Sequence, residues 1–340
     1  MGIKSSNTKA CIAGVALIVI ILDSKTAVTG ASAGIQLCIK SIIPSLFPFC
    51  FLAKLISAYT LGKSIPLLRS ISRLCRLPAG MESIFLLGFL GGYPMGAQCI
   101  TDAYRIGAIN QNTAQRLSGI CNNAGPAFIF GILGAGFANK TVSWALLGVQ
   151  IISALLVGIL IPAENTDTTR LLCARPMSIT SALRESVKSM AVICGWIVLF
   201  RTLIAYLDLW FLRNFSIGTQ ILITGMLELS NGCVQMKAIL NQGQAFVISA
   251  TLLSFGGLCI TMQTISVMQQ VGNTLYFPIK FLQGCISFIL SSGLQFLLFT
   301  EEHICYVNPI ALIAIMIIGI CTLYFLKFKI RGRNSVYNGI

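Results

Sequence analysis

Eight apolar stretches of about membrane length run through this chain, over 10–22, 30–59, 113–137, 142–161, 186–207, 244–269, 276–299 and 304–326. Hydrocarbon offers a backbone no hydrogen-bond partners, so each stretch is expected to satisfy itself as a helix. The fold class that follows is an all-α polytopic membrane protein. Composition supports it, with 56% of the 340 residues hydrophobic, 10% charged and a mean hydropathy of +0.84. The formal net charge of +14 does not point to nucleic acid, because the basic residues are scattered over short connections with no basic stripe interleaved with aromatics. The stretch 10–22 is short and follows Lys4 and Lys9 like a signal peptide, but "DSKTAVTGASAG" behind it is a weak cleavage site, and we read it as the first transmembrane helix.

Two further apolar stretches, 82–100 and 217–240, are interrupted by glycine and polar residues. If both are re-entrant hairpins that enter and leave by one side, the connections can be sorted by charge. The inside segments then hold Lys4, Lys9, Lys63, Arg69, Arg73, Arg76, Arg170, Arg175, Arg184, Lys280, Lys327, Lys329, Arg331 and Arg333, and the outside segments only Lys25, Lys140 and Arg213. The outside turn Thr300–Cys305, "TEEHIC", is acidic. About eight transmembrane helices plus two re-entrant hairpins place both termini in the cytoplasm.

The interruptions recur. Set without gaps, "INQNTAQRLSGICNNAGPAF" over "LNQGQAFVISATLLSFGGLC" aligns Asn110 with Asn241, Gln111 with Gln242, Ala114 with Ala245, Ser118 with Ser249 and Gly125 with Gly256. Upstream, Lys40 and Ser41 fall over Lys188 and Ser189, Leu55 and Ile56 over Leu203 and Ile204, and "GFLGGYPMG" over "GMLELSNGC". The expected organisation is an N-terminal helix over 1–29, a first repeat over 30–162, a cytoplasmic linker over 163–182, a second, inverted repeat over 183–326 and a basic tail over 327–340. Inverted repeats whose broken helices meet at the midplane are the architecture of secondary transporters.

The candidate solute-binding residues are therefore those at the interruptions. In the first repeat they are Gly92, Tyr93, Pro94 and Gly96, then Asn122, Asn123 and Gly125 ahead of Pro126. In the second they are Glu228, Ser230, Asn231, Gly256 and Gln263. Glycine and proline free backbone groups there, and a carboxylate or carboxamide in hydrocarbon demands a partner. Each has a purely structural alternative: tight helix packing for the glycines, an interhelical clamp for the asparagines, an ion pair for Glu228. Asp102 and Arg105 read as an interfacial ion pair, and Arg116 as an arginine snorkelling to the surface. The thirteen cysteines lie mostly in apolar runs without a CxxC pair, and His303 is the single histidine, so neither a metal nor a cofactor is expected. No HExxH or Walker A sequence occurs, and the one G-x-S-x-G match, "GASAG" over 30–34, has only His303 in the chain as a histidine base, which argues against an enzyme and leaves any ATP dependence to another subunit.

"GFLGGYPMGA", followed by "CNNAGPAF" and then by "GMLELSNG" and "SFGGL", resembles the YlbJ family of sporulation integral membrane proteins, also called stage V sporulation protein V, over roughly 35–268. That family belongs with the nucleoside-recognition or Gate-domain proteins. The resemblance implies a multi-pass membrane protein of endospore formers that moves dipicolinic acid into the forespore. Gln98 stands where the resemblance implies a basic residue. The functions expected are a transporter of a small polar or anionic solute such as dipicolinate, a nucleoside transporter, or a non-transporting scaffold of spore maturation. The partners are that solute and the lipid bilayer, with no nucleic acid; a homo-oligomer is compatible with all three.

Overall fold

The computed structural model describes residues 2–60, 63, 65–137, 139–163, 177–239, 241–299 and 309–337. Among them every regular element is helical, in the order α1 (Gly2–Leu22), α2 (Ser24–Leu37), α3 (Ile43–Thr60), α4 (Arg69–Leu74), α5 (Glu82–Gly91), α6 (Met95–Arg105), α7 (Gln111–Cys121), α8 (Pro126–Phe128), α9 (Thr141–Leu160), α10 (Ile179–Trp210), α11 (Ile217–Leu227), α12 (Leu229–Ile239), α13 (Gln242–Phe255), α14 (Gly257–Val267), α15 (Tyr276–Leu298) and α16 (Pro309–Tyr337). A π-helical turn over Cys38–Ile42 joins α2 to α3 without interruption.

Among the described residues six helical segments are long and apolar enough to cross a bilayer: Ser24–Thr60, Thr141–Leu160, Ile179–Trp210, Gln242–Val267, Tyr276–Leu298 and Ile313–Ile330. They correspond to six of the eight stretches expected. The N-terminal stretch is the shorter apolar helix Ala10–Leu22. The stretch over 113–137 is divided instead into α7, a non-helical run, α8, and π and 3-10 turns, because Pro126 has no N–H with which to continue the ladder. The turn Thr300–Cys305 and its His303, Arg170, Arg175 and most of the 163–182 linker lie outside the described residues. The basic tail is helical as far as Tyr337, as the continuation of α16.

Small residues set the closest helix packing. Gly30 and Gly34 of "GASAG" lie against α10, where a Cβ at either position would come within 2.8 Å of a backbone Cα, of Thr202 and Val198 respectively. The small residues that resemble a cleavage site are thus a packing surface. Two hairpins follow one plan: α5 and α6 fold back on each other with Gly88 beside Gly96, and α11 and α12 with Gly225 beside Gly232. In both, the paired glycines let two short arms touch at their backbones. The helices after them also start alike, since the side chains of Asn110 and Asn241 each accept a hydrogen bond at 2.8 Å from the amide three residues on, Thr113 and Gln244.

Candidate functional site

The interruptions come together in the middle of the molecule. Gly92, at the tip of the first hairpin, packs on Gly125 in the break after α7; a Cβ on Gly92 would meet the Gly125 nitrogen at 2.9 Å, and one on Gly125 the Gly92 nitrogen at 3.0 Å. Gly92 (φ +73°) and Gly256 (φ +88°) adopt a left-handed backbone that other residues rarely tolerate. The Tyr93 hydroxyl, from the first hairpin, donates to the Leu253 carbonyl at 3.0 Å, one turn before the second break. Gly257 in turn leaves no room for a side chain against the Met226 carbonyl of the second hairpin, 3.0 Å from where its Cβ would be.

A cavity opens at this meeting point, lined by Tyr93, Gly125, Glu228, Ser230 and Gln263 among apolar residues of α3, α8, α10 and α14. Its volume is about 40 Å³, room for a few water molecules. Glu228 is buried, with Oε1 accepting from the Ser230 amide at 3.0 Å and Oε2 from the Asn231 amide at 2.7 Å. The carboxylate thereby caps the N-terminus of α12, where orphan amides and the helix dipole favour a negative charge. Asn231 lies beside it, its Oδ1 accepting from the Arg201 guanidinium while its Nδ2 finds no partner among the described residues.

Asn122 and Asn123 are fully buried and face away from the cavity wall, into a polar core shared with α15. Asn122 Oδ1 accepts from the Ala97 amide at 3.4 Å in the first turn of α6, and its Nδ2 donates to Thr264 Oγ1 at 3.0 Å and Tyr276 Oη at 3.2 Å. Asn123 Oδ1 accepts from Lys280 Nζ at 3.2 Å and Gln283 Nε2 at 2.9 Å. Lys280 Nζ also donates to the Asn122 carbonyl at 3.1 Å and to Gln283 Oε1 at 2.5 Å. That carbonyl is available because Pro126, four residues on, lacks the N–H that would have taken it in a continuous helix. Gln150 Nε2 donates to a second carbonyl of the break, that of Ala124, at 3.0 Å.

Of the twelve candidate residues, then, Tyr93, Gly125, Glu228, Ser230 and Gln263 line the cavity. Gly92, Pro94, Gly96 and Gly256 shape the backbone around it; Asn122, Asn123 and Asn231 stand behind it. The asparagines form an interhelical clamp. Lys280 requires a correction: it is completely buried, not a loop cation, so the inside tally loses one member. The signal was present in α15, where Tyr276, Lys280, Gln283, Ser287, Ser291 and Gln295 recur every three or four residues and make one buried polar face. Arg116 requires another. It does not snorkel but is buried in the protein, its Nη2 donating to the carbonyls of Cys75 at 2.7 Å, Gly158 at 2.8 Å and Ile161 at 3.3 Å, so that it closes the C-terminal end of α9. Asp102 and Arg105 do pair on the surface, at 3.7 Å.

No family model and no solved structure matches the chain. Among curated proteins it is 23% identical to the sporulation integral membrane protein YlbJ of Bacillus subtilis (strain 168), in an alignment covering 80% of this chain and 78% of that protein. The likeness to the YlbJ sporulation membrane proteins, read first from a few short motifs, thus extends over most of both chains.

Proposed function

We propose that this chain is a carrier for a small polar or anionic solute, built from two oppositely oriented repeats with both termini in the cytoplasm. The observation that carries the proposal is the convergence of both hairpins and the first helix break on one cavity walled by Tyr93, Glu228, Ser230 and Gln263, with the second break packed beside Tyr93. At a rise of about 1.5 Å per residue, the 10 residues of α5 and the 11 of α6 reach only about halfway through a core of roughly 30 Å. Re-entrant hairpins account for that length. Inverted repeats account for the agreement of the two helix starts at Asn110 and Asn241 and of the two glycine pairs, and broken backbone at membrane depth is tolerable where it lines a cavity or is buried in protein.

The Bacillus subtilis relative is named for sporulation, and the solute we favour is dipicolinate, a planar dianion for which half-helix N-termini and carboxamides are suitable partners. A cavity of about 40 Å³ is smaller than this solute, so loading it requires the hairpin tips to move apart. Proteoliposomes containing the protein are expected to take up labelled dipicolinate, and Glu228→Ala and Asn123→Ala to reduce uptake at least tenfold. Uptake of nucleosides in its place would reassign the substrate. Equal flux in both variants and the parent would remove the site, and no flux of any solute would favour a scaffold.

A further inference from the structure

Lys280 sits where a carrier of this design would bind a loose cation. Its ammonium is completely buried, and the three hydrogens it carries point to three oxygens: the Asn122 carbonyl at 3.1 Å, Asn123 Oδ1 at 3.2 Å and Gln283 Oε1 at 2.5 Å. The face of the Tyr93 ring closes a fourth side, with its centroid 5.1 Å from Nζ. Among the described residues no carboxylate pairs with this lysine. Neutral oxygens around a central positive charge, one of them a main-chain carbonyl released just past the C-terminal end of a half-helix, are the donor set that holds coupling cations in broken-helix carriers. With every N–H engaged, the ammonium has none left for a solute. What it does is tie the break after α7 to α15 and to the ring at the first hairpin tip.

We propose that these three oxygens form a monovalent-cation site that the chain fills with its own Lys280, which makes the closed arrangement independent of sodium. Part of the test does not depend on the carrier reading, because occupancy of the cage is measurable on the purified protein. Anything that binds only the folded state raises the melting temperature by mass action. Full-length parent, Lys280→Ala and Lys280→Met are melted in detergent in choline chloride and then in sodium, potassium or methylammonium chloride at equal ionic strength. Lys280→Ala leaves the oxygens without a cation. It is expected to melt lower than the parent in choline, which is too large to enter, and to regain several degrees in methylammonium or sodium.

The parent and Lys280→Met, in which a side chain of similar length occupies the space without charge, are expected not to respond. No response of Lys280→Ala to any of the small cations would overturn the proposal, as would an equal response of the parent. Should Lys280→Ala fold too poorly in choline, it is purified in methylammonium from the outset: recovery there but not in choline supports the site, and recovery in neither overturns it. In proteoliposomes, equal flux by the parent in sodium and choline is expected, and sodium-dependent flux would overturn the proposal. Absence of flux in every medium would count against the carrier reading alone and leave the melting result standing.

Discussion

The two broken helices start with the same asparagine cap and break at the same aligned glycine, yet the breaks differ. After α7 the chain leaves the helix for four residues, Asn122 to Gly125. After α13 only Gly256 lies outside a helix, Gly256 and Gly257 both take a left-handed backbone, and α14 begins at Gly257. The residue that follows the aligned glycine decides between them. Pro126 removes an N–H and forces extended backbone on the residue before it, as Gly125 shows at φ −84° and ψ 160°. Its counterpart Gly257 keeps its N–H and lets the helix resume. The flanks differ accordingly: Asn122, Asn123 and Arg116 in the first half align with Leu253, Ser254 and Val247 in the second. A long break exposes several carbonyls and needs polar side chains to meet them; a one-residue break needs space.

The largest effect expected is at Arg116. Arg116→Met strands the carbonyls at the end of α9 and should cost about 3 kcal/mol or more, since an unsatisfied buried group costs about 1–3 kcal/mol; Val247→Ala, at the aligned position, should cost about 1–2 kcal/mol for the methyl groups it deletes. Equal losses on thermal unfolding in detergent would break the comparison. Next, Asn123→Leu should cost about 2–3 kcal/mol, because it leaves Lys280 and Gln283 short of an acceptor, against about 1 kcal/mol for Ser254→Ala, whose hydroxyl lies 3.3 Å from that of Ser153.

Gly256→Ala should cost about 1–2 kcal/mol through the left-handed backbone and further through the Tyr93 hydroxyl, 3.2 Å from where the new methyl would sit. The smallest effect compares what the two halves share. Asn110→Ala and Asn241→Ala should each cost about 1 kcal/mol, the usual worth of a helix cap, and a large inequality between them would argue against equivalent helix starts. Pro126→Gly sharpens the comparison without a large energy change: the first break should shorten toward the second, slowing hydrogen exchange at the amides of Asn123 and Ala124.

Most of the spanning helices were legible because an apolar run of sufficient length in lipid has one way to satisfy its backbone. The breaks were legible too, since Gly125, Pro126 and Gly256 act locally and declare themselves in any alignment of the halves. The cavity wall was legible only in part. Glu228 stood out as an intramembrane carboxylate, but its bonds to the Ser230 and Asn231 amides depend on where α12 begins. Lys280 and Arg116 were misread for one reason: a cation near the end of an apolar run looks the same in sequence whether it reaches for water or for carbonyls of other helices. For Lys280, the polar periodicity of α15 distinguishes the two. For Arg116 nothing local does, because its acceptors come from Cys75, Gly158 and Ile161, far away in the chain.

The contact of Gly30 and Gly34 with α10 has a mechanical consequence. Helices separated by side chains can slide as those side chains change rotamer, whereas two that meet at backbone, with a Cβ excluded at both positions, have no such cushion. α2 and α10 therefore behave as one beam that translates or tilts as a unit. In the carrier proposed above, the stroke would be made by the remaining helices against this girder, and an engineered cross-link along that seam should leave turnover intact.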